Sequence, residues 1–302
     1  MRVHANGIQI EVEDSGRAND GRPVVLLVMG LGMQLIAWPD RLVASLVEAG
    51  FRVVRHDNRD IGLSQGFDER GTGNMLWQGL RYRMGLQVRS AYTLQDMADD
   101  ALGVLDALGI ERAHVVGASM GGMIAQRLAA RAPKRVASLV SIMSSSGARG
   151  LPGPRADVLS LMLRRLPGSD EASLVAHSMR LVRLIAGPVF PPDEVALRER
   201  LVRALRRSYR PRGLVRQTLA VAADGDRAAL LARITSPTLV LHGDADPLVP
   251  VACGLDTSRR IPGARFALVP GMGHDLSPEL VEMLLVHIAP FLRDVDAQSL
   301  HA

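Results

Sequence analysis

One short stretch of the sequence has the residue types and the spacing that nucleophilic catalysis requires. The β-branched pair Val115-Val116 leads into Gly117-x-Ser119-x-Gly121, and an amphipathic helical pattern follows at once. This order predicts a strand, a sharp turn with Ser119 at its apex, and a helix. Glycine at the two flanking positions leaves room where the strand and helix backbones crowd together. The free N–H groups at the helix start would stabilise a developing oxyanion, so the pattern favours a nucleophile over a serine that only shapes a turn.

A nucleophilic serine needs a base and an acid, and we expect both at the carboxyl ends of other strands. A buried-type strand ending at Leu241 is followed by Asp244 and Asp246, and a strand ending at Val269 is followed by His274. The chain order serine, aspartate, histidine is typical of serine hydrolases that are built on an α/β sheet. The sequence therefore predicts His274 as the base.

Two aspartates compete for the role of the acid. Asp246 precedes a proline that fixes the backbone and helps to aim the carboxylate, whereas Asp244 suits a turn residue that bonds its own backbone. We favour Asp246 as the group that holds one tautomer of His274, and Asp244 stays the alternative. His56 and His242 also follow strands, and for each we expect a hydrogen bond to the neighbouring loop.

Length and composition limit the class of protein. The 302 residues, 47% of them hydrophobic, suffice for one large α/β domain or two small ones. The first residues lack the apolar core of a signal peptide, the longest apolar run is too short to cross a membrane, and Cys253 is the only cysteine. We therefore expect a cytoplasmic protein without a membrane span. The sequence contains no Cys/His cluster and no phosphate loop, so we expect no metal and no organic cofactor, and it leaves the oligomeric state open.

The positive charge of the chain is concentrated in one segment. Lys134 is the only lysine, and residues 150–230 hold 14 arginines and 8 acids, a local balance of +6 in a chain with a net charge of +5. A nucleic-acid surface would need aromatic residues among the arginines, and aromatics make up only 3% of the chain. We therefore expect solvated helix faces and no nucleic-acid partner.

Strand and helix patterns alternate along most of the chain, which predicts an α/β fold with a mostly parallel sheet. Asn6-Gly7 between two alternating segments predicts a hairpin with a type I′ turn, and Thr93 with Asp96 predicts a capped helix start. A final helix should begin at Ser277, where a proline occupies the first helical position. The other predicted strands are residues 24–29, 51–56, 113–116, 136–143, 237–241 and 264–269. The other predicted helices are residues 37–48, 93–108 and 251–261.

The alternation stops after Met143. Residues 147–223 show helical spacing without a convincing strand, and glycine and proline flank their entry. We interpret this segment as a helical cap inserted into a core formed by residues 1–146 and 224–302. An insertion at this point would lie over the carboxyl ends of the strands, above Ser119, with its arginines on the outer face. One apolar helix face of this cap is predicted to contain Leu159, Met162, Leu163 and Leu166.

Taken together, these features resemble the α/β-hydrolase superfamily, and within it the aclacinomycin-methylesterase-like carboxylesterases. The stretches that carry the resemblance are residues 27–30, 37–40, 55–60, 115–121 and 241–247. The resemblance implies Asp246 as the acid and an oxyanion hole made of two backbone N–H groups, those of Leu31 and Met120. Many relatives have His-Gly where this chain has Met29-Gly30, a difference that keeps the donor and removes a polar group beside it.

The implied reaction is hydrolysis of a carboxylic ester of a small or medium apolar substrate through an acyl-enzyme on Ser119. The substrate pocket would include Met33 and Trp38 near the oxyanion loop and Met162 and Leu163 of the cap. Three alternatives use the same residues: a C–C bond hydrolase, a cofactor-free haloperoxidase or perhydrolase, and a small-ligand receptor that does no chemistry.

Overall fold

A mostly parallel β-sheet forms the centre of the protein. The computed structural model describes residues 1–16, 21–164, 168–225 and 227–299. The strands are β1 (Arg2–Ala5), β2 (Ile8–Asp14), β3 (Val24–Val28), β4 (Arg52–His56), β5 (Ala113–Ala118), β6 (Val136–Ile142), β7 (Thr238–Gly243) and β8 (Arg265–Val269). They form one eight-stranded sheet in the order β1-β2-β4-β3-β5-β6-β7-β8. The pairs β1–β2 and β2–β4 are antiparallel and the other five pairs are parallel, so the α/β class predicted from the sequence is confirmed.

Helices connect the strands and cover both faces of the sheet. They are α1 (Asp40–Glu48), α2 (Met75–Arg83), α3 (Leu94–Ala107), α4 (Met120–Arg131), α5 (Ala156–Leu163), α6 (Glu171–Ile185), α7 (Glu194–Arg207), α8 (Pro211–Asp224), α9 (Ala228–Leu231), α10 (Val251–Arg260) and α11 (Pro278–Ser299). β3 lies in the middle and is buried on both sides: Leu26 packs with α3 and α4, and Leu27 packs with α1 and α11. This burial explains why β3 is a continuous apolar run rather than an alternating one.

Local sequence signals place several element boundaries correctly. Asn6 and Gly7 both have positive φ, as a type I′ hairpin turn requires. Thr93 and Asp96 form a capping box at the start of α3. The helix predicted to start near residue 37 begins only at Asp40, because the proline before it disfavours helical backbone in the preceding residue.

No sequence pattern predicts α2, which lies between β4 and α3. Its apolar side chains have no core to pack against, so the periodicity that marks a buried helix face is missing.

The helices α5 to α8 all lie between β6 and β7, as the predicted insertion requires, and the described part of this segment contains no strand. The apolar face predicted for α5 is wrong. Val158 and Leu161 are its buried residues, whereas Leu159, Met162 and Leu163 are exposed. Leu166 lies outside the described residues.

The crossing of α4 over β3 leaves no space for a side chain at Gly121, because a Cβ there would lie 2.0 Å from the Val28 carbonyl oxygen. We expect Gly121→Ala to lower the free energy of unfolding by about 3 kcal/mol, the upper range for an overpacked site. The matched control is Gly79→Ala in α2, where nothing lies within 4 Å of the added Cβ. Because alanine favours a helix over glycine, the control should unfold no more easily than the wild type. Equal denaturation midpoints for Gly121→Ala and the wild type would contradict this packing.

Candidate active site

Ser119 occupies the turn between β5 and α4 with φ of 55° and ψ of −120°, a conformation that non-glycine residues rarely adopt. Its amide N–H donates to the Ile142 carbonyl oxygen at 2.9 Å, which anchors the turn to β6. A Cβ at Gly117 would lie 2.3 Å from the Gly121 carbonyl oxygen. The steric reason inferred for the two glycines is therefore confirmed.

The structure brings Ser119, His274 and Asp246 into one hydrogen-bonded line. The His274 Nε2 atom lies 2.9 Å from the Ser119 Oγ atom, and the His274 Nδ1 atom lies 2.7 Å from Asp246 Oδ2. The other Asp246 oxygen accepts the N–H groups of Leu248 and Val249 at 2.9 and 2.8 Å. Because the carboxylate can only accept, the shared proton lies on Nδ1, and the Nε2 lone pair faces the serine hydroxyl.

Asp244 has a different partner. Its Oδ1 atom accepts the Gly271 N–H at 2.7 Å, which ties the loop after β7 to the loop after β8. The geometry thus separates the two candidate acids: Asp246 contacts the imidazole, and Asp244 holds the loop that leads to it.

Two other histidines follow strands near this site. The His242 Nε2–H group donates to the Val249 carbonyl oxygen at 2.7 Å, which confirms the loop hydrogen bond expected for it. The bond expected for His56 is wrong, because neither of its buried ring nitrogens has a hydrogen-bond partner among the described residues. Burial lowers the pKa of His242 and lowers the pKa of His56 to about 4. Both rings are therefore neutral at pH 7 and add no positive charge to the site.

Two backbone N–H groups lie beside Ser119. Met120 follows it directly as the first residue of α4, and Leu31 lies in the loop after β3. That loop runs close to the serine, since a Cβ at Gly30 would lie 3.2 Å from the Ser119 Cβ. Within the described ranges, neither the Leu31 nor the Met120 N–H donates a hydrogen bond to another protein group.

Gln217 in α8 fixes the loop that contains Leu31, and no sequence motif indicates this role. Its side chain is fully buried. The Oε1 atom accepts the Gly32 N–H at 2.9 Å, and the Nε2 group donates to the Arg59 carbonyl oxygen at 2.9 Å. One amide therefore connects α8 to the loops after β3 and β4.

Several described arginines of the basic segment point inward, which corrects the expectation that the arginines lie on the outer face. Arg216 forms two hydrogen bonds to Asp60, at 2.6 and 2.8 Å, and both side chains are fully buried. Arg207 contacts Asp57 at 2.7 Å, and Arg200 contacts Asp275, the residue after His274, at 3.1 Å. A buried carboxylate requires a paired charge, so these arginines join α7 and α8 to the strand-end loops. Others, such as Arg183 and Arg206, form exposed pairs as expected.

The four residues predicted to line a substrate pocket lie in different environments. Trp38 is fully buried in the core between the sheet, α1 and α11, and Met33 is exposed in the loop after β3. Met162 is exposed on α5, and Leu163 is 74% exposed, which does not support a place in a closed pocket.

The described residues contain no group of three or more His, Cys, Asp and Glu side chains arranged to hold a metal ion. None of the helices within those residues combines the length and the apolar character needed to cross a bilayer.

Comparison with known proteins agrees with the geometry. A sequence-family profile described as "alpha/beta hydrolase fold" matches residues 23–279. The rhodomycin D methylesterase DauP of Streptomyces sp. (strain C5) is 30% identical over 89% of this chain and 90% of its own length. A 2-hydroxy-6-oxononadienedioate/2-hydroxy-6-oxononatrienedioate hydrolase of Pseudomonas sp. is 30% identical over 88% of this chain and 85% of its own length.

Among solved structures, the enol-lactonase from Burkholderia xenovorans LB400 superposes with a TM-score of 0.72 at 23% identity. The match covers 97% of this chain and all of that one, and at this identity it indicates a shared fold.

Proposed function

The chain belongs to the α/β-hydrolase fold family, and on that basis we propose that it is a serine hydrolase that cleaves carboxylic esters. The observation that carries the proposal is the hydrogen-bonded line from Ser119 through His274 to Asp246. A serine in a strained turn, an imidazole facing its hydroxyl and a carboxylate behind the ring are the parts that nucleophilic acyl transfer requires.

In the proposed reaction, His274 takes the Ser119 proton as the serine oxygen attacks the ester carbonyl. The imidazolium that forms is stabilised by Asp246, which does not take the proton. His274 then protonates the leaving alcohol, and water repeats the cycle on the acyl-enzyme to regenerate Ser119. The two N–H groups beside Ser119, those of Leu31 and Met120, would stabilise the tetrahedral oxyanion by about 3 kcal/mol each.

An ester substrate is favoured by the methylesterase relative, which aligns with nearly the whole chain. A second candidate, C–C bond hydrolysis, is favoured by the oxononadienedioate hydrolase relative, which is equally identical over a similar share of the chain. The two reactions share the nucleophile and differ in the leaving group, an alcohol in one case and a carbon acid in the other.

The helices α5 to α8 would form a cap that shapes the substrate pocket, in a segment close to residues 147–223. Two contacts bring the cap to the edge of the site. The backbone N–H of His274 donates to the Ile185 carbonyl oxygen, and the Leu214 side chain packs against Gly32. Because Leu214 of α8 packs against Gly32, which follows Leu31 in the loop after β3, we add Leu214 to the proposed pocket.

A panel of substrates tests the proposed reaction. Esters with lengthening acyl chains should be hydrolysed with rising kcat/KM until the pocket is full, with an upper limit of about 0.8 kcal/mol per buried methylene. A vinylogous diketone should be cleaved slowly or not at all. The reverse preference would assign the protein to C–C bond hydrolysis. Leu214→Ala should flatten the chain-length profile, whereas Val286→Ala on the exposed face of α11 should leave it unchanged.

Substitution of each aspartate by asparagine distinguishes the proposed acid, Asp246, from the loop residue Asp244. Asp246→Asn should lower kcat by about 10⁴-fold, because an asparagine favours the wrong imidazole tautomer. Asp244→Asn should retain most of kcat and act through the stability of the loop, since its carboxylate contacts only the Gly271 N–H among the described residues. Steady-state kinetics of both variants with one activated ester measure the difference. A larger loss of kcat in Asp244→Asn would reverse the assignment.

Gln217 should act as a positioning residue for the Leu31 donor. Gln217→Leu should lower kcat by about tenfold or more with little change in KM, because the loop loses its anchor while ground-state contacts remain. Gln217→Glu keeps the acceptor for the Gly32 N–H and should recover part of kcat. Thr218→Val, the next residue of α8, is the matched control and should not affect kcat. An unchanged kcat in a folded Gln217→Leu protein would refute the role.

A further inference from the structure

The helix α2 packs against the rest of the protein in the opposite sense to an ordinary surface helix. Its buried residue is the polar Gln78, whose Oε1 atom accepts the Arg89 N–H at 2.9 Å. Its apolar residues face outward: Leu76 is 88% exposed and Trp77 is 56% exposed. A surface helix that contacts only water on its outer side would bury its apolar residues and expose its polar ones.

Apart from Tyr82, the exposed apolar side chains described in α2 form one stripe with Met84, the residue that follows the helix. Leu76, Leu80, Met84 and Trp77 fall within an arc of about 100° at 100° per residue. All four are exposed, as is Leu86 just beyond the helix. We call Leu76, Trp77, Leu80, Met84 and Leu86 the α2 patch. Apolar patches of this kind on a protein surface mark interaction sites.

The charges around the α2 patch have one sign. Arg83 lies on one side of the apolar arc and Arg81 on the other, and Arg89 follows in the segment that supports the helix. Residues 70–95 contain no aspartate and no glutamate. The Arg81 Nε group donates to the Gln87 carbonyl oxygen at 2.8 Å, which fixes the helix against residues 87–89.

These features favour a lipid surface over a second copy of the chain. A two-fold contact would place the arginines of both copies together, and this segment has no acid to pair with them. A single exposed helix of nine residues also offers much less than the roughly 800 Å² per partner that stable protein interfaces bury. Anionic phospholipids supply phosphates for the arginines and an apolar boundary for Leu76, Trp77 and Leu80.

We propose that the α2 patch is a peripheral membrane-binding surface for anionic phospholipid bilayers. The helix would lie in the plane of the interface, with Leu76, Leu80 and Trp77 inserted and Arg81 and Arg83 at the level of the phosphates. This binding is independent of the hydrolytic reaction, so it can be tested whatever that reaction is.

Vesicle binding by the full chain tests the proposal. The wild type should sediment with phosphatidylcholine vesicles that contain roughly 30 mol% phosphatidylglycerol, and bind at least about tenfold more weakly to pure phosphatidylcholine. Salt should weaken the binding, because it screens the arginines. The chain has two tryptophans, and Trp38 is fully buried, so a blue shift of emission on binding reports Trp77. Trp77→Phe should abolish the shift.

Matched variants separate the α2 patch from general surface effects. Leu76→Gln with Leu80→Gln should weaken binding about tenfold or more, and Arg81→Gln with Arg83→Gln should remove the preference for the anionic lipid. The controls are Val286→Gln, which is 71% exposed on α11, and the exposed pair Arg259→Gln and Arg293→Gln. The leucines, Arg83 and the control side chains are exposed, so their replacement should keep the wild-type unfolding midpoint. Arg81→Gln loses the hydrogen bond to the Gln87 carbonyl oxygen and should lower the midpoint slightly.

Three outcomes would overturn the proposal. The first is a wild type that does not prefer anionic vesicles, and the second is an equal loss of binding in the control variants. The third is a dimer of the wild type, in the absence of lipid, that Leu76→Gln with Leu80→Gln converts to a monomer, because the patch would then be the contact between two copies.

Discussion

The backbone conformation of Ser119 is the constraint on which the rest of the site depends. Holding a non-glycine residue at positive φ costs on the order of 1 kcal/mol or more, so the surrounding packing must impose it. Here α4 approaches β5 so closely that Gly117 has no room for a Cβ, and it crosses β3 so closely that Gly121 has none. The same approach presses α4 against the carboxyl end of β3. It therefore fixes Ser119 next to the loop after β3, from which we propose that the Leu31 N–H group joins that of Met120 in binding the oxyanion.

Polar links from the inserted helices hold the loops around this turn. The Gln217 side chain fixes the loop after β3, and the Arg216–Asp60 pair fixes the loop after β4. The Ile185 carbonyl oxygen accepts a hydrogen bond from the backbone N–H of His274. Each link joins a cap helix to a loop at the carboxyl edge of the sheet. A change in the position of these helices would thus move both the proposed base and a proposed oxyanion donor.

The sequence predicts the parts of the fold that depend on local signals. The turn at Asn6-Gly7, the capping box at Thr93 and the strand-turn-helix at Ser119 each follow from a few adjacent residues. The alternation of strands and helices and the preference for Asp246 over Asp244 follow from the same kind of argument, and the hydrogen bonds place Asp246 against the imidazole. These features need no knowledge of distant contacts.

What the sequence does not predict depends on tertiary contacts. The buried residues of α5 are Val158 and Leu161. The position of the helix on the protein decides which side chains are covered, and the spacing of apolar residues in the sequence does not. Likewise, the inward direction of Arg216 depends on a carboxylate at residue 60, far away in the chain. Gln217 stands in no motif, and only the folded chain brings it to Gly32.

The most direct measurement of the central claim is intact and peptide mass spectrometry after reaction with a fluorophosphonate. We predict one adduct per chain on the peptide that contains Ser119, loss of ester hydrolysis in parallel with labelling, and neither labelling nor hydrolysis in Ser119→Ala. An adduct on a different residue, with ester hydrolysis intact in Ser119→Ala, would contradict the account.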